Sequence, residues 1–152
     1  MVLDADAGGT GRRPLDLIEG QKQAIGLWLL DRLPDVARLP GGYEAFGFAR
    51  GAAIAGAVLY TNYVPYPDGG TIEIWAAGRD WLSRRVLRVI FGYPFDQIGC
   101  HRMTALVGRR NRESRTLVEG LGFRLEGVAR GGFGPGRDTM IYGMLRRECR
   151  WL

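Results

Sequence analysis

Two side chains in this 152-residue chain stand where their chemistry could be used. Glu73 lies inside Thr71-Ile72-Glu73-Ile74-Trp75-Ala76-Ala77, whose alternation predicts a strand. Ile72, Ile74 and Ala76 share one face of it, and Thr71, Glu73 and Trp75 the other. It is the only acidic residue in the middle of a predicted central strand, and burial there would raise its pKa toward the range of a general base. A carboxylate facing solvent, or paired with an arginine, is the competing reading. The second side chain is Ser114. It shares a helical face with Leu117, Val118 and Leu121, so one hydroxyl sits on an otherwise apolar stripe. Such a hydroxyl either bonds back to the helix backbone or meets a ligand. His101, the sole histidine, follows Cys100 without a second histidine or carboxylate at useful spacing, and neither a catalytic nor a metal role is assigned to it. Glu119 and Glu126 sit among arginines and read as surface pairs.

The elements that must position these groups are legible along the chain. Asn111 caps the helix that carries Ser114, and Gly122 ends it in a left-handed turn, with Phe123 folding back on the last turn. Arg124 to Arg130 then reads as a strand, followed by a glycine-rich hairpin at Gly131 to Gly136 and a last strand. Upstream, Met1 to Arg13 reads as a loose lead-in in which Met1 to Leu3 could form a minimal strand. Pro14 predicts a helix along Leu17, Ile18, Gln21, Ala24, Ile25, Trp28 and Leu29, stopped by Pro34. Residues 14–39 thus form a short helical front end. Tyr43 to Arg50 and Ala52 to Tyr60 read as a hairpin turning at Arg50-Gly51. The small residues of the second strand would let an element pack close above it. The loop from Thr61 to Gly70 carries Tyr63 and Tyr66, which would line a pocket or stiffen a turn. A helix from Trp81 to Phe95, frayed by Pro94, and a strand from Arg102 to Val107 complete the series. The order predicts one α/β (α+β) domain over residues 1–152, a mixed sheet flanked by helices.

Composition narrows the function classes. At 46% hydrophobic the chain can bury a core of ordinary size. No apolar run approaches the ~20 residues of a membrane span, and no signal peptide is visible. Cys100 and Cys149 lack metal-ligand spacing, so a reducing, cytoplasmic setting is expected and no metal. The formal net charge is +5, and Lys22 is the only lysine. Arginine forks match phosphate oxygens, so an anionic partner is expected, unless the bias reflects a GC-rich genome. Nucleic acid is disfavoured: zinc-finger spacing, a helix-turn-helix and an aromatic RNA motif are all missing from the sequence.

Asn111-x-x-Ser114, a helix ending in Leu121-Gly122-Phe123, then Arg124-x-Glu126-Gly127-x-x-Arg130 resembles the last third of the GNAT N-acetyltransferases. The nearest branch is the one that acetylates ribosomal-protein N-termini. Asp138 to Leu145 is similar to the final strand of that branch, and the arginine-rich ending Glu-Cys-Arg-Trp-Leu is similar to acetyltransferase-like proteins of phages. The resemblance implies a mostly antiparallel sheet with a splayed central strand pair. It also implies acetyl-CoA as cofactor and transfer of the acetyl group to a primary amine, on a protein N-terminus or a small molecule, by direct attack in a ternary complex. The cofactor would run along Trp75, Ala76, Arg79, Leu82, Ser83 and Arg84, with Asn111 and Ser114. Tyr63, Tyr66 and Trp75 would bind the acceptor, Glu73 would be the base, and Ser114 would contact the thiol as a candidate acid. A second copy of the chain is an admissible partner.

One departure stands out. The family cradles the cofactor diphosphate in Arg or Gln, two residues, Gly, one residue, Gly or Ala, at a helix N-terminus. Here Arg79 is present, but Leu82 and Arg84 fill both small positions. The alternative expectation is therefore a GNAT-shaped protein with a degenerate phosphate loop, acting as a non-catalytic binding or structural partner.

Overall fold

The computed structural model describes residues 13–152, and of the preceding stretch only the backbone of Val2–Leu3. That dipeptide forms β1, a short strand within the expected loose lead-in; Met1 and residues 4–12, with the glycines Gly8, Gly9 and Gly11, lie outside the described residues.

Alternation builds a sheet of β2 (Asp16–Ile18), β3 (Tyr43–Arg50), β4 (Ala53–Val64), β5 (Gly70–Gly78), β6 (Cys100–Gly108), β7 (Arg124–Ala129) and β8 (Thr139–Leu145). Its order is β2-β3-β4-β5-β6-β8-β7, and β1 pairs with β5 off that path. The β5–β6 and β1–β5 pairs are parallel and the others antiparallel.

Apolar side chains leave this sheet on both faces. Phe48, Tyr60, Ile74, Ala76, Met103, Ala105 and Tyr142 point to one face, which α2 (Arg84–Gly92) and α3 (Arg112–Leu121) cover with Val86, Ile90, Val118 and Leu121. Ala45, Ala57, Leu59 and Ala77 point to the other face, where α1 (Lys22–Leu30) lays Ile25 and Leu29.

Three expectations are corrected. Residues 16–18 are a strand on β3, and the first helix starts only at Lys22. The β3 edge satisfies that backbone, and Gly20, at φ 73°, turns the chain into the helix. The expected loop from Thr61 is strand as far as Val64, because β4 continues through a bulge between Thr61 and Val64. Trp81 lies outside the second helix, which Ser83 begins by accepting from Val86 N at 3.2 Å. The indole instead covers the paired glycines Gly56 and Gly78, where a Cβ on either would strike it. The small residues of β4 do admit a close neighbour, as expected.

Beyond Gly92 the helix widens into a π-helical turn, Tyr93–Ile98, rather than fraying. Pro94 has no N–H to return to the Ile90 carbonyl. The buried Tyr60 hydroxyl donates to that oxygen at 2.7 Å.

Candidate active site

The central strands part midway. β5 and β6 pair from Gly70↔Cys100 to Ile74↔Ala105 and no further. Past that point Trp75 to Gly78 stay on β4, and Leu106 to Gly108 stay on β8. The opening is bridged at its far end: Val2 pairs with Ala77 and Leu3 with Gly78, and α3 packs against β1.

Glu73 is the last acidic residue before the strands part. Its neighbours in the sheet are Thr61 and Thr104, and its side chain is 8% exposed. Asn62 Nδ2 donates to Glu73 Oε2 at 2.8 Å, and Trp75 Nε1 donates to the same oxygen at 3.3 Å. The β4 bulge makes this possible by turning Asn62 to φ 53°. Glu73, Trp75 and Asn62 form the polar end of a cavity of about 250 Å³, with Leu33, Val36 and Leu106 as its apolar wall. A carboxylate so placed, with one oxygen held and the other without a donor among the described residues, can accept a proton from an amine in the cavity.

On the opposite face, Asn111 caps α3 by accepting from Ser114 N at 3.1 Å. Gly122 ends the helix at φ 112°, and Phe123 N returns to Val118 O at 3.0 Å, as its sequence predicts. Ser114 is 1% exposed, with Val118 and Leu121 on the same buried face. The hydroxyl is therefore sealed in the described structure, while the strands beside it do separate.

The segment before α2 carries the phosphate-loop positions. Leu82 turns into the core, whereas Ser83 and Arg84 are exposed at the start of α2, and Arg79 is exposed ahead of them. Leu82 packs there beside Trp81, Ile90 and Phe123. Arg50 Nη2 holds the Asp80 carbonyl at 2.9 Å, with Asp80 at φ 52°. Among the described residues, Arg50 Nε and Trp81 Nε1 are buried donors without an acceptor beside this turn. Unmet donors, exposed arginines and a helix N-terminus form a donor set suited to a diphosphate. The residues present thus fit coenzyme A, although side chains replace some of the backbone cradle.

Ala76 lies beneath α2 and α3, whereas Trp75 points to the α1 face with Glu73. Tyr63 and Tyr66 are not brought to the cavity. Tyr63 lies over Gly70, and Tyr66 packs edge-on to His101 at 6.5 Å between ring centroids. His101 Nδ1 meets Gly69 O at 2.8 Å, a structural bond at the start of β5. Sequence reading missed Asn62, Phe133 and Leu33–Val36. Only Asn62 left a signal, as a residue type that tolerates positive φ. No three-residue cluster able to hold a metal occurs among the described residues.

This architecture recurs among solved structures. The chain superimposes on the spermidine N-acetyltransferase SpeG of Vibrio cholerae with a TM-score of 0.73, at 15% identity, over 91% of this chain and 96% of that one. The fold is that of the GNAT acetyltransferases. Ribosomal-protein-S5-alanine acetyltransferase from Vibrio fischeri aligns at TM-score 0.60 and 20% identity, over 87% of this chain and 72% of that one. A candidate acetyltransferase aligns at TM-score 0.59 and 22% identity over 71% of this chain; only 64% of that protein's length is spanned. No family model matches the sequence, and no curated protein does. Likeness at these identities establishes the GNAT fold, a mixed sheet with parted central strands.

Proposed function

We propose that the chain is an acetyl-CoA-dependent N-acetyltransferase acting on a primary amine, of a protein N-terminus or a small molecule, by direct attack in a ternary complex. The observation that carries this reading is Glu73, held by Asn62 and Trp75 at the end of a cavity beside the point where β5 and β6 part. When bound, the cofactor supplies an acetyl group activated as a thioester.

The chain supplies the rest. Ser83, Arg84 and Arg79, at and before the start of α2, hold the phosphates, with Arg50 behind them. Leu82 supports that turn from the core. The edge of β5 at Trp75 and Ala76 and the cap residue Asn111 would guide the pantetheine arm of the cofactor. Ser114 is the candidate acid, and its sealed hydroxyl would have to be uncovered between the parted strands to reach the thiol. Glu73 takes the proton of the incoming ammonium, directly or through water, so that the amine lone pair is free to attack. Trp75 walls the acceptor. Tyr63 and Tyr66 are left to steer an extended acceptor from outside the cavity.

A second reading keeps the fold without the chemistry, as a binding or structural partner. It is favoured by β1 on the β5 edge and by Leu82 and Arg84 at the small positions. Calorimetric titration with coenzyme A separates the two. The transferase reading expects binding, and turnover with an amine panel that falls ~10²–10⁴-fold in Glu73→Gln while the cofactor still binds. Absence of coenzyme A binding would overturn it, and full activity in Glu73→Gln would overturn the assignment of Glu73 as the base.

A further inference from the structure

The Glu73 cavity opens beside a much larger basin of about 1000 Å³, and Pro34, Asp35 and Phe133 line both. Five arginines enter the basin wall: Arg109, Arg110, Arg112, Arg115 and Arg137. Against them stand two carboxylates, both engaged. Asp35 is taken by Arg137, and Asp138 by Arg109 at 3.3 Å and by the Gly131 N–H at 2.9 Å. Arg115 is fixed in place, with Nε on the Tyr142 hydroxyl at 3.3 Å and Nη1 on the Arg109 carbonyl at 3.1 Å. Arg110 and Arg112 are exposed, and their guanidiniums meet no acceptor among the described residues.

We infer that the acceptor, given the transferase reading above, is the N-terminus of a polypeptide whose next residues are acidic. The shapes select it. The smaller cavity, about 250 Å³ and walled by Leu33, Val36, Leu106 and Phe133 between Asp35 and Glu73, admits an amine with a short side chain. The basin beyond has room for several more residues, at ~3.3–3.6 Å each when extended. Charge selects it as well. A polyamine would meet guanidiniums wherever it left the cavity, whereas Asp and Glu side chains can be met in bidentate pairs by the two free forks. A small phosphorylated amine would match the charge but leave most of the basin empty.

The test uses the full chain with acetyl-CoA. The acceptors are six-residue peptides that share a first residue and continue with Asp and Glu, with Ser and Gln, or with Lys and Arg. Spermidine and a phosphorylated small amine complete the set. Thiol release gives kcat/KM, and fluorescence anisotropy of the labelled peptides gives affinity independently of turnover. The acidic peptide is expected to lead, its advantage shrinking with salt. The acidic-over-neutral ratio should drop roughly tenfold in each of Arg110→Ala and Arg112→Ala. Equal handling of acidic and neutral peptides, or preference for the basic peptide, spermidine or the phosphorylated amine, would overturn the inference. So would an acidic preference untouched by either substitution. If nothing is acetylated, the transferase reading fails alone when the acidic peptide still binds with the same arginine dependence; absence of that binding sinks the inference as well.

Discussion

Asn62 holds Glu73 from a backbone conformation that few residue types adopt. Its Nδ2 lies 2.8 Å from Glu73 Oε2 while its φ is 53°, on the strand directly beside β5. Glycine accepts this φ without cost, so Asn62→Gly removes the amide and keeps the bulge. Turnover should fall, by up to ~10²-fold if the carboxylate swings by about 1 Å. Coenzyme A affinity and the unfolding midpoint should hardly change. The effect should appear in kcat rather than in cofactor binding; unchanged kcat would show that Trp75 alone suffices to place Glu73.

The strand β1 sits on the β5 edge at Ala77 and Gly78, where the strands have parted. A cofactor arm that pairs with the same edge must displace it. A chain beginning at Arg13 should therefore bind coenzyme A more tightly than the full chain, by calorimetry at fixed salt. Weaker binding in the shortened chain would show instead that the strand completes the site.

Tyr60 and Pro94 act on one oxygen. The proline removes the helix donor to Ile90 O, and the Tyr60 hydroxyl supplies a substitute at 2.7 Å. Tyr60→Phe should cost about 1–3 kcal/mol by leaving a buried carbonyl unmet. In a Pro94→Ala background, which restores an N–H, the same change should cost less. Urea unfolding of the four proteins reads the coupling; strict additivity would separate the two residues.

Glu126 and Asp138 couple the last hairpin to pH. Arg102 bonds to Glu126 and holds its carboxyl below the ordinary range, and the Gly131 N–H, helped by Arg109, does the same for Asp138. Their folded pKa values lie below the unfolded ones. Their contribution is thus present above the unfolded values, near pH ~4, and is lost as pH falls through the folded values. Denaturant midpoints should decline over that acid window. The decline should be smaller in Arg102→Gln, which no longer has the Glu126 pair to lose. Equal acid sensitivity in both proteins would place the titration elsewhere.

Much of the scaffold was readable from local chemistry. Asn111, Gly122 and Phe123 specify both ends of α3 because caps act within a few residues of backbone. Alternation placed Ile72, Ile74 and Ala76 against Glu73 and Trp75, since the pleat has a period of two. The parting of the two strands was expected from a resemblance, and in the structure β5 pairs with β6 no further than Ile74.

What local chemistry could not specify depends on partners distant in the chain. Residues 16–18 carry helical spacing, yet they are a strand because the β3 edge offers backbone bonds that outweigh weak propensity. Trp81 fits a helix start by pattern, but the bare glycines Gly56 and Gly78 leave a slot for its ring. The arginine basin joins residue 35 to residue 137 across the sheet, a meeting no spacing rule encodes. Caps and alternation are short-range and show in sequence; edge pairing, slots and charge fields are long-range, so only the folded chain decided them.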